Sequence, residues 1–101
     1  MFWNSAESLY ARGDFTSATI LYFKTLFAIQ DFLLLEKTGE SPKDHTERFR
    51  QLEKHFPTLY TELDIEFSTY RDTYSKIIDK ETCIRVKRLV EHDLTKHHLK
   101  E

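Results

Sequence analysis

The large apolar residues between positions 14 and 38 recur at steps of three and four, the spacing of a helix face. Asp14 is a suitable N-cap for such a helix, and Gly39 a suitable stop. A helix that is apolar on two sides is buried on two sides, so we expect it to lie centrally and to contact a partner chain. The two stripes are Phe15, Ala18, Tyr22, Leu26, Ile29 and Leu33, and Ile20, Phe23, Phe27 and Leu34.

The rest of the chain divides into further amphipathic segments. A short first helix is predicted over residues 5–12, and a third begins after the loop "GESPKD". Pro57 is expected to break that third helix, and Asp79 to cap the last one. Between them a fourth helix is predicted from a stripe that consists of Tyr60, Leu63, Phe67, Tyr70, Tyr74 and Ile77.

The scarcity of chain breakers favours an all-α fold. Only two glycines and two prolines occur in 101 residues, and strand-forming residues do not alternate with polar ones. Short loops between amphipathic helices predict antiparallel neighbours. The sequence therefore predicts one domain over residues 1–101, an antiparallel up-and-down bundle of four to five helices.

Charge and cysteine content indicate a soluble cytoplasmic protein. The net charge of −2 gives no long-range attraction to nucleic acid, so RNA binding would need a local basic patch. A single cysteine, Cys83, excludes an internal disulfide, fits a reducing compartment and is expected in the core. The apolar run at residues 32–35 is too short to span a bilayer, so we expect no membrane association.

Aromatic residues are numerous for so small a chain, with eight Phe, five Tyr and one Trp. One small core has limited room for that much aromatic surface. We therefore expect a buried self-association face.

The histidines near the C-terminus raise the question of a metal. His92 and Asp93 with His97 and His98 have spacings at which imidazoles could converge on zinc. No second cluster supplies further ligands, and repeated Glu-x-x-His pairs of di-iron bundles are missing. The interpretation we favour is a solvated helix end whose histidines complement the helix dipole, with no metal and no cofactor.

The basic residues of the last helix could contribute to a phosphate-binding patch, but the interpretation we favour is a charged solvent-facing surface. They are Arg85, Lys87 and Arg88, which Arg48 and Arg50 could extend. His45 lies on the apolar face of the third helix, where a histidine is usually a hydrogen-bonding or core residue and less often a catalytic base.

Three segments together resemble the HEPN family (higher eukaryotes and prokaryotes nucleotide-binding domain). "GDFTSATILYFKTLFAIQDFLL" is similar to the family's second helix, "SPKDHTERF" to the following loop, and "YRDTY" to its Arg-x-x-Tyr element. In this chain that element consists of Arg71 and Tyr74, and the loop contains His45. The resemblance covers nearly the whole chain and implies an antiparallel helical bundle that commonly forms a homodimer.

The resemblance also implies partners and an activity. Such domains often accompany a minimal nucleotidyltransferase in toxin–antitoxin pairs, and several branches are metal-independent ribonucleases with an Arg-x(4–6)-His motif. After Arg71 the positions for that histidine hold Lys76, Ile77 and Ile78. Arg85 and His92 satisfy the spacing, but in the last helix.

Three hypotheses follow. The first is a binding module that dimerises, pairs with a nucleotidyltransferase and binds a nucleotide or phosphate near Arg71, Tyr74 and His45. The second is a ribonuclease toxin that uses Arg85 and His92. The third is a small structural adaptor in a protein assembly.

Overall fold

The all-α bundle predicted from the sequence is confirmed. The structure, a computed structural model, describes residues 2–99, and this range contains five helices and no strand. The helices are α1 (Phe2–Ala11), α2 (Phe15–Thr38), α3 (His45–His55), α4 (Pro57–Asp72) and α5 (Lys80–Lys96).

The predicted helix boundaries are confirmed where a capping residue defines them. The carboxylates of Asp14, Asp44 and Asp79 each accept a hydrogen bond from the backbone N–H three residues later. Gly39 ends α2 with φ +82°, a left-handed conformation that a side chain would disfavour. Pro57 occupies the first turn of α4, where its missing N–H leaves no helical bond unmade.

The first helix begins earlier than predicted, at Phe2 rather than near residue 5. The ring of Trp3 lies 5.4 Å from the ring of Tyr22 on α2. This packing explains the extra turn, since burial of an aromatic ring against the core outweighs the preference of Asn4 and Ser5 for a cap position.

The central position of α2 is also confirmed, since it packs against each of the other four helices. Its apolar residues on one side face α1 and α5, and those on the other face α3 and α4. By length and composition alone α2 could cross a membrane, but 61% of its apolar window is buried inside the bundle. The core helix of a soluble protein has the same properties.

Most of the aromatic surplus is used within the single chain. Ring-to-ring contacts at 4.8–6.1 Å involve nearly every aromatic side chain of the described residues. The exceptions with large exposure are Phe2 and Phe32, which are 43% and 45% exposed. Aromatic content alone therefore does not require a partner chain.

The predicted end of the fourth helix is wrong. The helix stops at Asp72, and residues 73–79 form turns and an extended link to α5. Ile77, predicted on the apolar stripe, is 94% exposed, and the neighbouring Ile78 is buried in its place. The backbone N–H of Ile78 donates to Thr16 Oγ1 at 2.8 Å, which ties the link to the start of α2.

Candidate functional sites

His45 lies in an aromatic cluster formed by three helices. Its ring is 4.8 Å from Phe27 of α2, and 5.3 and 5.5 Å from Phe67 and Tyr70 of α4. The cluster follows from the sequence because His45 begins the apolar face of α3, and that face packs towards α2 and α4.

A partly buried ion pair, with Arg48 buried and Asp31 half-buried, lies directly beside this cluster. Arg48 donates from Nε and Nη2 to the two carboxylate oxygens of Asp31 at 2.8 and 3.0 Å, and its Nη1 pairs with His45 Nδ1. Its guanidinium also lies 4.8 Å from the ring centre of Phe27. Arg48 therefore does not extend a surface patch with the exposed Arg50, because its charge is used inside the protein.

The same surroundings keep His45 neutral. Burial lowers the pKa of His45 below its ordinary value, and the positive charge of Arg48 lowers it further. Asp31 and Asp44 act weakly in the opposite direction. A neutral imidazole accepts a hydrogen bond from Arg48, and a second cation there would be repelled.

Arg71 and Tyr74 lie at the outer edge of this cluster. The Arg71 guanidinium carbon lies 5.9 Å from the Phe67 ring centre, as expected for a side chain that covers an apolar edge. Tyr74 is 72% exposed, and its hydroxyl is 2.6 Å from that of Tyr70. Within residues 2–99 the Arg71 side chain has no carboxylate partner, so its charge is available to a ligand.

The three candidates Arg71, Tyr74 and His45 thus lie in one region, with Arg71 and Tyr74 at the surface and His45 half-buried behind them. The Tyr70 ring, whose pKa burial raises to about 12, lies between His45 and Tyr74. His45 supports the surface from below, through its packing against Tyr70 and Phe67.

The structure does not join Arg85 and His92 into a nuclease-like pair. Arg85 is held by Glu66 of α4, with Nε and Nη2 donating at 2.9 and 3.0 Å, and it also donates to Thr69 Oγ1. His92 lies two turns further along α5, a rise of about 10 Å. The Arg85 charge is already neutralised, which disfavours the ribonuclease arrangement expected from spacing.

Two further candidates, Lys87 and Cys83, have structural explanations. Lys87 lies 3.5 Å from a Glu7 carboxylate oxygen and 4.3 Å from the ring centre of Tyr10, so α5 is tied to α1. Cys83 is buried as predicted, and burial raises the pKa of its thiol.

A shallow groove runs between α4 and α5. Its apolar floor includes Ile65, which is 69% exposed, and Leu89. The complete lining consists of Glu62, Ile65, Glu66, Arg85, Arg88 and Leu89.

At one end of this groove the structure adds a residue of a second helix to His92 and Asp93, for which the sequence analysis favoured no metal. Glu62 of α4 meets His92 and Asp93 of α5, and one ligand atom from each lies within 4.8 Å of the other two. Asp93 is fully buried, and neither of its carboxylate oxygens has a hydrogen-bond partner. Glu62 is the contribution from a second element that the pattern of C-terminal histidines lacked.

Sequence reasoning missed the burial of Arg48 and Asp93, although both positions had a signal. Arg48 lies between His45 and Leu52 on the apolar face of α3, at steps of three and four. Asp93 follows Val90 by three residues on the buried face of α5. A charged residue at a position that the helical period assigns to the core is the signal to look for.

No protein-family model, curated protein or solved structure matches this chain.

Proposed function

We propose that the protein is a helical binding module of the HEPN type that binds a phosphate-bearing ligand, such as a nucleotide, at the surface around Arg71 and Tyr74. The observation behind the proposal is an arginine with an unused charge beside an exposed tyrosine, both supported by a packed aromatic cluster. A guanidinium can bind a phosphate through two charge-assisted hydrogen bonds, and an exposed ring can stack on a base.

The rigidity of the supporting layer favours this assignment. Phe67, beneath Arg71, contacts His45, Phe49 and Tyr70 at ring distances of 4.9–5.5 Å. A cation held over a fixed ring loses little conformational freedom on binding, which lowers the cost of ligand capture.

The test is a titration of the full chain with ATP, in which isothermal calorimetry measures the binding affinity. Arg71→Ala should weaken binding about tenfold or more, the effect of losing a charge-assisted hydrogen bond, while the melting temperature stays within about 2 °C. Arg50→Ala, which removes an exposed arginine of α3, is the matched control and should bind as the unchanged protein does. Equal weakening in both variants, or a large loss of stability in Arg71→Ala alone, would refute the site.

A homodimer through α2 belongs to the same proposal. Ala28, Phe32 and Leu35 form an exposed stripe on α2, with Phe32 45% and Leu35 46% exposed. In an antiparallel pairing of two copies centred near residue 30, Lys24 of one copy faces Glu36 of the other, and both side chains are exposed. Apolar contact at the centre and opposite charges at the ends support a second copy as the occupant.

Sedimentation velocity tests the dimer directly. Phe32→Glu should give a monomer at concentrations where the unchanged chain is dimeric, because it places a carboxylate in the apolar centre of the interface. Ile77→Glu changes an apolar residue that is 94% exposed elsewhere and should leave the dimer intact. A monomeric unchanged chain contradicts this part of the proposal and leaves the Arg71 surface to be judged by its own titration.

The resemblance further supports a minimal nucleotidyltransferase as protein partner. The corresponding test is to co-express the chain with such an enzyme encoded beside it and to purify the complex. Arg71→Ala or Phe32→Glu should then abolish the co-purification.

A further inference from the structure

Among the described residues, the largest group of buried polar side-chain atoms without a hydrogen-bond partner lies where α4 meets α5. Asp93 has a relative exposure of 0%, yet both of its carboxylate oxygens lack a hydrogen-bond donor. Glu62 Oε2, on the facing helix, is also buried and unpartnered. A buried carboxylate without a donor is strongly disfavoured, so the arrangement calls for a positive ligand.

The nitrogen of His92 indicates what kind of ligand that is. Two carboxylates alone would be satisfied by a shared proton, but the third atom of the group, within 4.8 Å of both, is an imidazole nitrogen. Carboxylate oxygen with imidazole nitrogen is a donor set of first-row divalent transition ions, and the absence of thiolate disfavours softer ions.

The distances suit a site that tightens on binding. Ligand atoms of a tetrahedral zinc ion, each about 2.1 Å from the metal, lie about 3.4 Å apart. The three ligand atoms here lie within 4.8 Å of one another, so the site must contract by up to about 1.4 Å, through changes in the Glu62 and His92 side-chain torsions. His92 is exposed and Glu62 half-buried, so both have room to rotate.

A candidate fourth ligand and an entry route adjoin the cluster. His97 caps α5 one turn after Asp93, and its Nε2 is buried without a hydrogen-bond partner, although it lies outside the group of three close ligand atoms. Glu62 also lines the groove between α4 and α5, which opens to solvent and gives an ion access to the cluster.

We propose that Glu62, His92 and Asp93 form a binding site for a divalent transition-metal ion, best fitted by zinc, which clamps α5 to α4. The geometry also brings like charges together, since the Glu62 and Asp93 carboxylates face each other within 4.8 Å. A zinc ion would remove the repulsion between the two carboxylates and stabilise the bundle. The site is separate from the Arg71 surface and does not depend on the function proposed there.

The experiment uses the full chain, freed of metal with a chelator and then titrated with zinc chloride. Native mass spectrometry should show one zinc ion per chain, and at zinc concentrations 100-fold above the dissociation constant the melting temperature should rise by about 10 °C. Substitution of cobalt for zinc should give visible absorption bands that report the coordination directly. Magnesium at the same concentration should produce no shift, because it avoids nitrogen ligands.

Variants assign the binding to these residues. Asp93→Asn should weaken zinc affinity about 100-fold or more, since loss of a ligand costs at least as much as loss of its supporting contacts. Glu62→Gln, at a half-buried position, gives the same test should Asp93→Asn fail to fold. His98→Gln changes an exposed neighbouring histidine and should retain full affinity.

Two results would overturn the assignment. One is a chain that binds no zinc at stoichiometric concentrations, in which case a proton shared between Glu62 and Asp93 accounts for the cluster. The other is zinc binding that Asp93→Asn and Glu62→Gln leave unchanged while His98→Gln abolishes it, which would place the ion at the exposed histidines.

Discussion

Arg48 and Asp93 are both charged side chains buried in the bundle, but their surroundings differ completely. Arg48 has a carboxylate, an imidazole and an aromatic ring as partners, and every contact comes from this chain. Asp93 receives no hydrogen bond from an N–H group or a hydroxyl among the described residues, and it faces the Glu62 carboxyl, with which it can share a proton. A buried charge whose hydrogen bonds are made within the chain has a structural role, whereas a buried charge without such bonds indicates that a ligand binds there.

The contrast also separates the two ends of α4. Near its C-terminus, α4 supplies Phe67 and Tyr70 to an aromatic layer that holds Arg71 at the surface. Earlier in the helix, α4 supplies Glu62, whose carboxylate and that of Asp93 repel each other until a positive ligand is bound. One helix therefore presents a preorganised surface at one end and an incomplete site towards the other.

The largest expected effect comes from removing the partner of the satisfied charge. Asp31→Ala leaves the Arg48 guanidinium, whose side chain is 9% exposed, without its carboxylate. The free energy of unfolding should fall by about 3 kcal/mol, since loss of one member of a buried pair exposes the full desolvation penalty of the other. Urea denaturation measures this change.

Glu40→Ala is the matched control because it removes an exposed carboxylate just beyond the end of the same helix. It should change stability by less than about 0.5 kcal/mol. Similar losses in the two variants would show that the Arg48–Asp31 pair does not differ from a surface charge.

The opposite sign is expected at Asp93 in metal-free protein. At pH 8, above the raised pKa of Asp93, Asp93→Asn removes a charge that faces Glu62, so the free energy of unfolding in the presence of a chelator should rise by about 1 kcal/mol. The same urea measurement with and without zinc should then show that the variant gains at most a small part of the stabilisation by zinc. A loss of stability in the metal-free variant would mean that Asp93 has an internal partner and that the contrast with Arg48 is false.

Helix boundaries and the central role of α2 could be predicted because they depend on local chemistry. Capping carboxylates, Gly39 and Pro57 act within a few residues of the helix ends. The two apolar stripes of α2 indicate that this helix is buried on both sides. The end of α4 could not be predicted, because Tyr74 and Ile77 continue the apolar spacing. Beyond Asp72 the chain is held by a tertiary contact that local spacing does not reveal, the hydrogen bond from Ile78 to Thr16 across 62 positions.

The sites show the same division. Arg71 could be selected from the sequence because its distance of four residues from Phe67 fixes its place at the edge of an apolar stripe. The proximity of Glu62 and Asp93 could not be predicted, since the two residues are 31 positions apart on different helices and meet only because of how those helices pack. Asp31 with Arg48 is a similar case, in which the partner on another helix decides whether a charge is buried or exposed.

The smallest expected effect is a dependence of stability on pH that originates beside Arg48. His45 faces Arg48 and Asp44 at its own helix, Asp31 of α2 and Tyr70 of α4, and the balance of burial and charge lowers its pKa. Above pH 6.5 the imidazole is neutral in both the folded and the unfolded chain. Below that value the unfolded chain binds a proton that the folded chain resists, so stability falls until the pH passes the lowered pKa of the folded state.

Urea denaturation at pH 7.5 and at pH 5 isolates this contribution when a variant cannot titrate at the same position. His45→Phe keeps a ring against Phe27 and Phe67, and it should lose less stability than the unchanged protein as the pH falls. His55→Gln, at the other end of α3, should retain the full loss. If His45→Phe also shows the full loss, the pH dependence arises at another group. His45 would then bind a proton as readily in the folded chain as in the unfolded chain, despite the neighbouring Arg48.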